Sequence, residues 1–225
     1  MKKIPVKDLI EFGRKSPKGK RTFVDNIKST KIEIPAEGGG DYWIASLSTV
    51  CTSYKQDDIK LIDNKIDELQ EKLGNTRFNR TKDMYGRNIS ILEKYKRMNL
   101  KTLRPSGKLT FLKKSSANPI LTIRGLQIES KPSHIYTFGK QGEEKIGAIW
   151  FTAKVNGYKI VEVGMFCEML YRFLKHNYPK KFQIAPKYCL AVEMLSGNTV
   201  DYSQIESGRI TQSLTPTLEE INSLM

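Results

Sequence analysis

Residues 146–155, IGAIWFTAKV, form a short apolar run rich in β-branched and aromatic residues, which predicts a strand. Residues 161–178, VEVGMFCEMLYRFLKHNY, follow it with a different period. Met165, Phe166, Met169, Leu170 and Phe173 share one helical face, and Pro179 ends the run. Residues 188–203, YCLAVEMLSGNTVDYS, then read as a strand pair turning at Ser196-Gly197-Asn198. A strand, a long packed helix and a further strand in that order predict a sheet with one face covered by the helix.

The same alternation extends upstream to about residue 100. KLTFLKK (108–114), PILTIRGLQIE (119–129) and HIYTF (134–138) are short apolar segments separated by Gly, Pro, Ser and charges, and they read as strands. Downstream, PTLEEINSL (216–224) reads as a short helix with Thr215 or Thr217 as its cap. Before residue 100 the period is helical. Over 57–74, DDIKLIDNKIDELQEKLG, the residues Ile59, Ile62, Ile66, Leu69 and Leu73 recur at threes and fours. Asp57 and Asp58 stand at the favourable end of the dipole and Gly74 at the stop position. Helices are also predicted from about residue 5, over 41–55 with Asp41 as N-cap, and over 81–97. GRKSPKGKR (13–21) reads as a basic loop broken by Gly13, Pro17 and Gly19, FVDNIKS (23–29) as a short piece, and IPAEGGGD (34–41) as a link. The fold class is therefore α+β. A mainly helical basic region, 1–100, precedes an α+β core, 101–225, and the two can equally form one continuous domain.

The chain has 225 residues, a hydrophobic share of 39% and twenty-one aromatic side chains, which excludes a disordered or low-complexity polymer. No apolar run suits a signal peptide or a membrane span. Cys51, Cys167 and Cys189 read as reduced thiols, so the expected location is cytoplasmic with no membrane partner. The formal net charge of +14 is unevenly distributed. Residues 1–31 hold ten Lys or Arg against three acids, and residues 72–114 hold thirteen against two. Residues 32–71 are acidic, and 115–225 nearly neutral.

Motifs for chemistry are sparse. His134 and His176 have no Cys or His at ligand spacing and read as surface or helix-end residues, so no metal or cofactor is expected. Phosphate-loop and activated-nucleophile patterns are absent, and Gly38–Gly40 beside Glu37 and Asp41 reads as a linker. Glu129 and Lys131, two apart on a strand, point to one face, and Lys154 ends the strand at 146–155. Glu162 and Glu168 on the next helix add carboxylates. Over residues 120–202 this strand–lysine–helix–strand order resembles the core of PD-(D/E)XK, restriction-endonuclease-like proteins. The resemblance implies a metal-dependent nuclease with Glu129, Lys131 and Lys154 at its site and Mg²⁺ as its ion. Thr152 stands where that family has the acid two before the lysine, which implies an inactivated copy.

The two basic segments point to a polyanion. Arg14, Lys15, Lys18, Lys20 and Arg21 form one cluster. Arg77, Arg80, Lys82 and Arg87 form another that continues through Lys94, Lys96, Arg97, Lys101 and Arg104. Phe78 and Tyr85 offer stacking surfaces among them. The expected function is non-catalytic binding of the phosphate backbone of DNA or RNA, as one subunit of a larger assembly, with the two clusters converging into one cationic track. A protein partner is the alternative, an acidic surface docked on the same cations.

Overall fold

A computed structural model describes residues 2–29, 42–140, 142–179 and 181–225. The link at 34–41, the Asp41 cap and the Gly38–Gly40 run lie outside the described residues. The chain runs β1 (Ile4–Pro5), α1 (Val6–Arg14), α2 (Pro17–Lys28), α3 (Ile44–Gln56), α4 (Lys60–Asn75), α5 (Asn79–Arg97) and α6 (Leu100–Leu103). Then come β2 (Thr110–Phe111), β3 (Ile120–Ile123), β4 (Leu126–Glu129), β5 (His134–Phe138), β6 (Lys145–Thr152) and α7 (Ile160–Asn177). β7 (Gln183–Glu193), β8 (Thr199–Asp201), α8 (Tyr202–Glu206) and α9 (Leu214–Ser223) complete it. This is an α+β fold.

Five strands form the central sheet in the order β2-β5-β6-β7-β8. Only β6 and β7 run parallel, joined by the α7 crossover. Where they pair, a Cβ on Gly147 would come within 2.6 Å of the Tyr188 carbonyl oxygen. The register jumps beside it, between Ile146 and Ala148. That close approach explains a glycine in the middle of a buried strand. A smaller sheet, β1-β4-β3, is built on the β3–β4 hairpin, whose turn puts Arg124 and Gly125 at φ 50° and 81°.

Strand alternation separates two cores. Ile135, Ile146, Ala148 and Ala191 face α7, which buries Val163, Phe166, Leu170 and Leu174 against them. Ile4, Leu9, Phe12, Val24, Ile27, Leu218 and Ile221 join that core. Tyr136, Ile149, Phe151, Leu190 and Val192 face the other way, toward Val50, Tyr54, Ile62, Leu69, Ile91, Leu92 and Tyr95 of α3–α5. The N-terminal segment thus packs with the C-terminal half, while α3–α5 form a separate layer across the sheet. The seam of α4 is internal packing against α3 and α5.

Local readings need correction at four places. Residues 17–28 are helical, not a loop. Ser16 caps α2 by accepting from the Gly19 amide (3.3 Å), and Pro17 occupies the first turn, where its missing N–H costs nothing. Asp57 closes α3 in the left-handed region (φ 58°) instead of opening α4, and Asp58 accepts from the Lys60 amide (2.9 Å). Gly74 lies inside α4, which ends one residue later. Helix α9 starts at Leu214 after Ser213, with neither threonine as cap, and Thr215 takes a hydrogen bond from Arg172 (2.9 Å).

Candidate nucleic-acid interface

The elbow between α4 and α5 carries the second basic cluster. Three residues, Thr76, Arg77 and Phe78, join α4 to α5. Phe78 stays at the surface, 76% exposed, just before the first turn of α5. That first turn contains no acid, and the opening amides of a helix lack intrahelical partners. Arg77, Arg80 and Lys82 are exposed beside it, and Arg87 is exposed about two turns farther along α5. Arg80 is braced by the Tyr42 hydroxyl (Nε–Oη 3.0 Å), with its guanidinium 5.5 Å from the centre of that ring. Arg77, Lys82 and Arg87 form no ion pair among the described residues. A shallow depression of about 560 Å³ opens here between Lys72, Asn75, Arg77, Phe78 and Tyr85, with Glu71 on its rim.

Farther along α5 two cations, Lys96 and Arg97, are committed. Lys96 pairs with Asp63 of α4 (2.5 Å) and Arg97 with Glu93 (3.5 Å). Arg104 lies over the Tyr54 ring at 4.9 Å and 3.8 Å from Asp57. Lys101 is in α6, but its side chain lies outside the described residues.

The first cluster behaves differently. Arg14 forms a forked pair with Glu162 at the start of α7 (Nε–Oε1 2.7 Å, Nη2–Oε2 2.5 Å). The Glu162 hydrogen bond raises the Arg14 pKa. Burial pushes the Glu162 carboxyl up, but the Arg14 guanidinium and the Lys159 amide outweigh it and hold it below the usual range. Lys20 pairs with Glu220 of α9 (2.6 Å) and lies 5.1 Å from the Phe12 ring centre. Lys15, just after α1, and Lys18 and Arg21 on α2 remain exposed.

The two clusters sit on helices of different layers. Helices α1 and α2 belong to the layer on the α7 face of the sheet, and α4 and α5 to the layer on the opposite face. The cations of 14–21 and 77–87 are therefore carried by different layers, on opposite faces of the sheet.

The three residues named by the nuclease resemblance gather at the carboxyl end of β6. Glu129 and Lys131 border a crevice of about 410 Å³ with Trp43, Thr152, Tyr158 and Phe166. Lys154, just past β6, has its ammonium 5.7 Å from the Tyr158 ring centre and donates to Glu11 of α1. Glu129 is clasped by Lys3 (2.5 Å) and Lys131 (3.0 Å). Burial pushes its pKa up, and these two ammonium groups more than reverse the effect. Burial also pushes the Tyr158 phenol up to about 12.

Each crevice carboxylate thus already has cationic partners, and no group of three metal-ligating side chains forms among the described residues. As placed, these side chains do not fit a Mg²⁺ site. Glu193, fully buried, accepts from the Lys154 amide (3.3 Å) and the Ser196 amide (2.5 Å), so it fixes the backbone that carries Lys154. Glu168 is turned inward to the amides of Ser213 (2.8 Å) and Leu214 (3.3 Å), a structural role. Sequence reasoning missed Glu11, whose only signal was its position on the exposed side of an amphipathic helix.

The remaining titratable candidates are structural. His134 is half-buried in β5, its Nε2 2.8 Å from the Cys51 carbonyl oxygen and its ring stacked 6.0 Å from that of Tyr54, not at the surface. Cys167 and Cys189 are buried, and burial raises both thiol pKa values. Among the described residues no helix is long and apolar enough to cross a membrane. No family model matches the chain, and neither the curated proteins nor the solved structures contain a significant match.

Proposed function

We propose that the chain is a non-catalytic, cytoplasmic protein that binds the phosphate backbone of DNA or RNA, as one subunit of a larger assembly. The α4–α5 elbow is its contact surface. The observation that carries this reading is the set of exposed cations Arg77, Arg80, Lys82 and Arg87 along the elbow and the first turns of α5, with Phe78 exposed beside Arg77 and no carboxylate in the first turn of α5. Cations neutralise phosphates and release counterions, while an exposed aromatic ring stacks an unpaired base of any identity. No recognition helix or base-reading motif accompanies them, so backbone contacts lead and sequence preference is weak. Lys15, Lys18 and Arg21 form a second, smaller surface on the far layer, suited to another strand segment or to an acidic protein in the assembly.

Fluorescence anisotropy with a labelled single-stranded oligonucleotide and a labelled duplex, across a salt series, tests this. Binding that weakens steeply with salt is expected. Binding that is absent, or flat with salt, rejects it. Recovery of one stoichiometric acidic protein after nuclease digestion, with no oligonucleotide binding, would favour the adaptor alternative.

A second reading, a metal-dependent nuclease, draws support from the shared crevice of Glu129 and Lys131 and from Lys154 beside it. Its carboxylates would have to exchange lysine partners before an ion could enter. Plasmid nicking with Mg²⁺ or Mn²⁺ that disappears in Lys154→Ala would favour it over the first.

A further inference from the structure

Strand β6 outruns its neighbour β5, which pairs with it only as far as His134 opposite Ile149. Ser133 closes that pairing. Its amide donates to the Ile149 carbonyl (2.8 Å), and its hydroxyl oxygen accepts from the Phe151 amide (2.9 Å). The next stretch of β6 and its continuation, Trp150 to Ala153, line the crevice of about 410 Å³. The walls are aromatic. Trp150 and Tyr158 each meet Phe166 edge to face, at 5.1 and 5.3 Å between ring centres. Trp43 and Leu47, at the head of α3, contribute from the other layer, so both tryptophans of the chain line one crevice. Trp150, Leu47 and Ala153 are half-buried and can be reached from solvent.

The polar lining comprises Lys7, Glu129, Lys131, Thr152 and Tyr158. Glu129 is held by Lys3 and Lys131 at 2.5 and 3.0 Å, and Lys131 also borders a neighbouring cavity, so neither offers an uncommitted charge. Lys7 does. It is exposed and forms no ion pair among the described residues. It belongs to the first turn of α1, where Pro5 supplies no side-chain cap, and Pro5, Val6 and Lys7 all border the crevice. The positive end of a helix dipole and an unpaired ammonium thus meet an aromatic wall. Asp8, the acid of that turn, is not among the lining residues.

We infer that this crevice binds a small aromatic anion, with its ring against Trp150 and its charged group at the Lys7 ammonium. The volume falls within the range of small-molecule sites, and the lining has their usual make-up of apolar walls with a few placed polar groups. A planar ring gains offset or edge-to-face contacts on such a wall. Aromatic walls can also hold a cation, but Lys3, Lys7 and Lys131 outnumber Glu129 here, so the charge balance selects an anion. The anionic group can be the carboxylate of a simple aromatic acid or the phosphate of a nucleotide. This site is independent of the elbow and needs no metal ion.

The test uses the full chain with ¹⁵N-labelled tryptophan, whose indole N–H signals belong to Trp43 and Trp150 alone. Trp43 follows Tyr42, which braces Arg80 of the elbow, so the Trp150 signal is the reporter. Cinnamate should move it saturably and bind about tenfold tighter than cinnamamide, a neutral probe of nearly the same shape, the ratio expected for one charge-assisted hydrogen bond. Cinnamylammonium should bind least. In Lys7→Gln the cinnamate advantage should vanish while cinnamamide binding is retained. Ala153→Leu, which narrows the crevice without touching Lys7, should weaken both. AMP against adenosine identifies the source: the same preference for the anion at Trp150 assigns a nucleotide, and its absence a simple aromatic acid. A Trp150 signal unmoved by cinnamate, an advantage that survives Lys7→Gln, or the cation as the tightest probe would each overturn the assignment.

Discussion

Segments 14–21 and 77–87 look alike as sequence: both are short, dense in Lys and Arg, and poor in acids. In the fold they differ in commitment. Arg14 and Lys20 are drawn into ion pairs with Glu162 and Glu220 of the C-terminal half, and they tie α1 and α2 to α7 and α9. Among the described residues Arg77, Lys82 and Arg87 have no such partners, and Arg77 adjoins an exposed phenylalanine. A cation held in a forked pair must break that pair before it meets a phosphate, whereas a solvated one exchanges only counterions. Similar charge density therefore gives two ion pairs that add stability and a small exposed surface in one segment, and an exposed surface without ion pairs among the described residues in the other.

The largest expected effect is on binding. Arg77→Glu, Arg80→Glu and Arg87→Glu together should lower oligonucleotide affinity by about a hundredfold and reduce the salt slope by roughly two to three, with the melting temperature nearly unchanged. Anisotropy and a thermal melt on the same samples check both halves. Next in size, Arg14→Met should cost roughly 1 to 2 kcal/mol of stability by urea unfolding, because it leaves Glu162 partly buried beside apolar residues. It should leave binding at the elbow intact, the reverse of the first pattern.

A third change sharpens the aromatic part. Phe78→Ala should weaken single-stranded binding by about tenfold, leave duplex binding nearly unchanged and spare stability, since the ring is mostly solvent-exposed. The smallest effect is on pH dependence. Glu129 and Glu162 are held below their ordinary value of 4.5, so the stability they contribute is complete above that pH and lost as pH falls through the depressed values. Glu168, raised by burial, acts in the opposite sense: its contribution is complete below 4.5 and declines as pH rises through its own value. Arg14→Met should lower the neutral plateau and flatten the acid limb, so that the two stability–pH curves converge at low pH.

Much of the fold was legible because period alone reports it. The apolar faces of α4 and α7 recur at helical spacing, and β6 is a β-branched and aromatic run, so each element lies close to its expected place. Helix α2 was hidden because Pro17 and Gly19 read as breakers when Ser16 makes the proline a first-turn residue. Helix α8 was missed although Asp201 and Gln204 form a capping box, since five residues carry too little period to register. The site was less legible for a different reason. Whether a cation is free depends on partners distant in sequence: Glu162 is 148 residues from Arg14, Glu220 is 200 from Lys20, and Glu11 is 143 from Lys154. No local pattern encodes those pairings. The division of strand residues between two cores, which sends the basic segments to opposite layers, likewise follows from topology.

The difference between the two segments is tested most directly by salt-dependent oligonucleotide binding of two charge-reversed proteins, Arg77/Arg80/Arg87→Glu and Lys15/Lys18/Arg21→Glu. A large loss of affinity and slope in the first, with a much smaller loss in the second, is the predicted result. Equal losses in both, or a greater loss in the second, would contradict the assignment of the polyanion surface to the α4–α5 elbow.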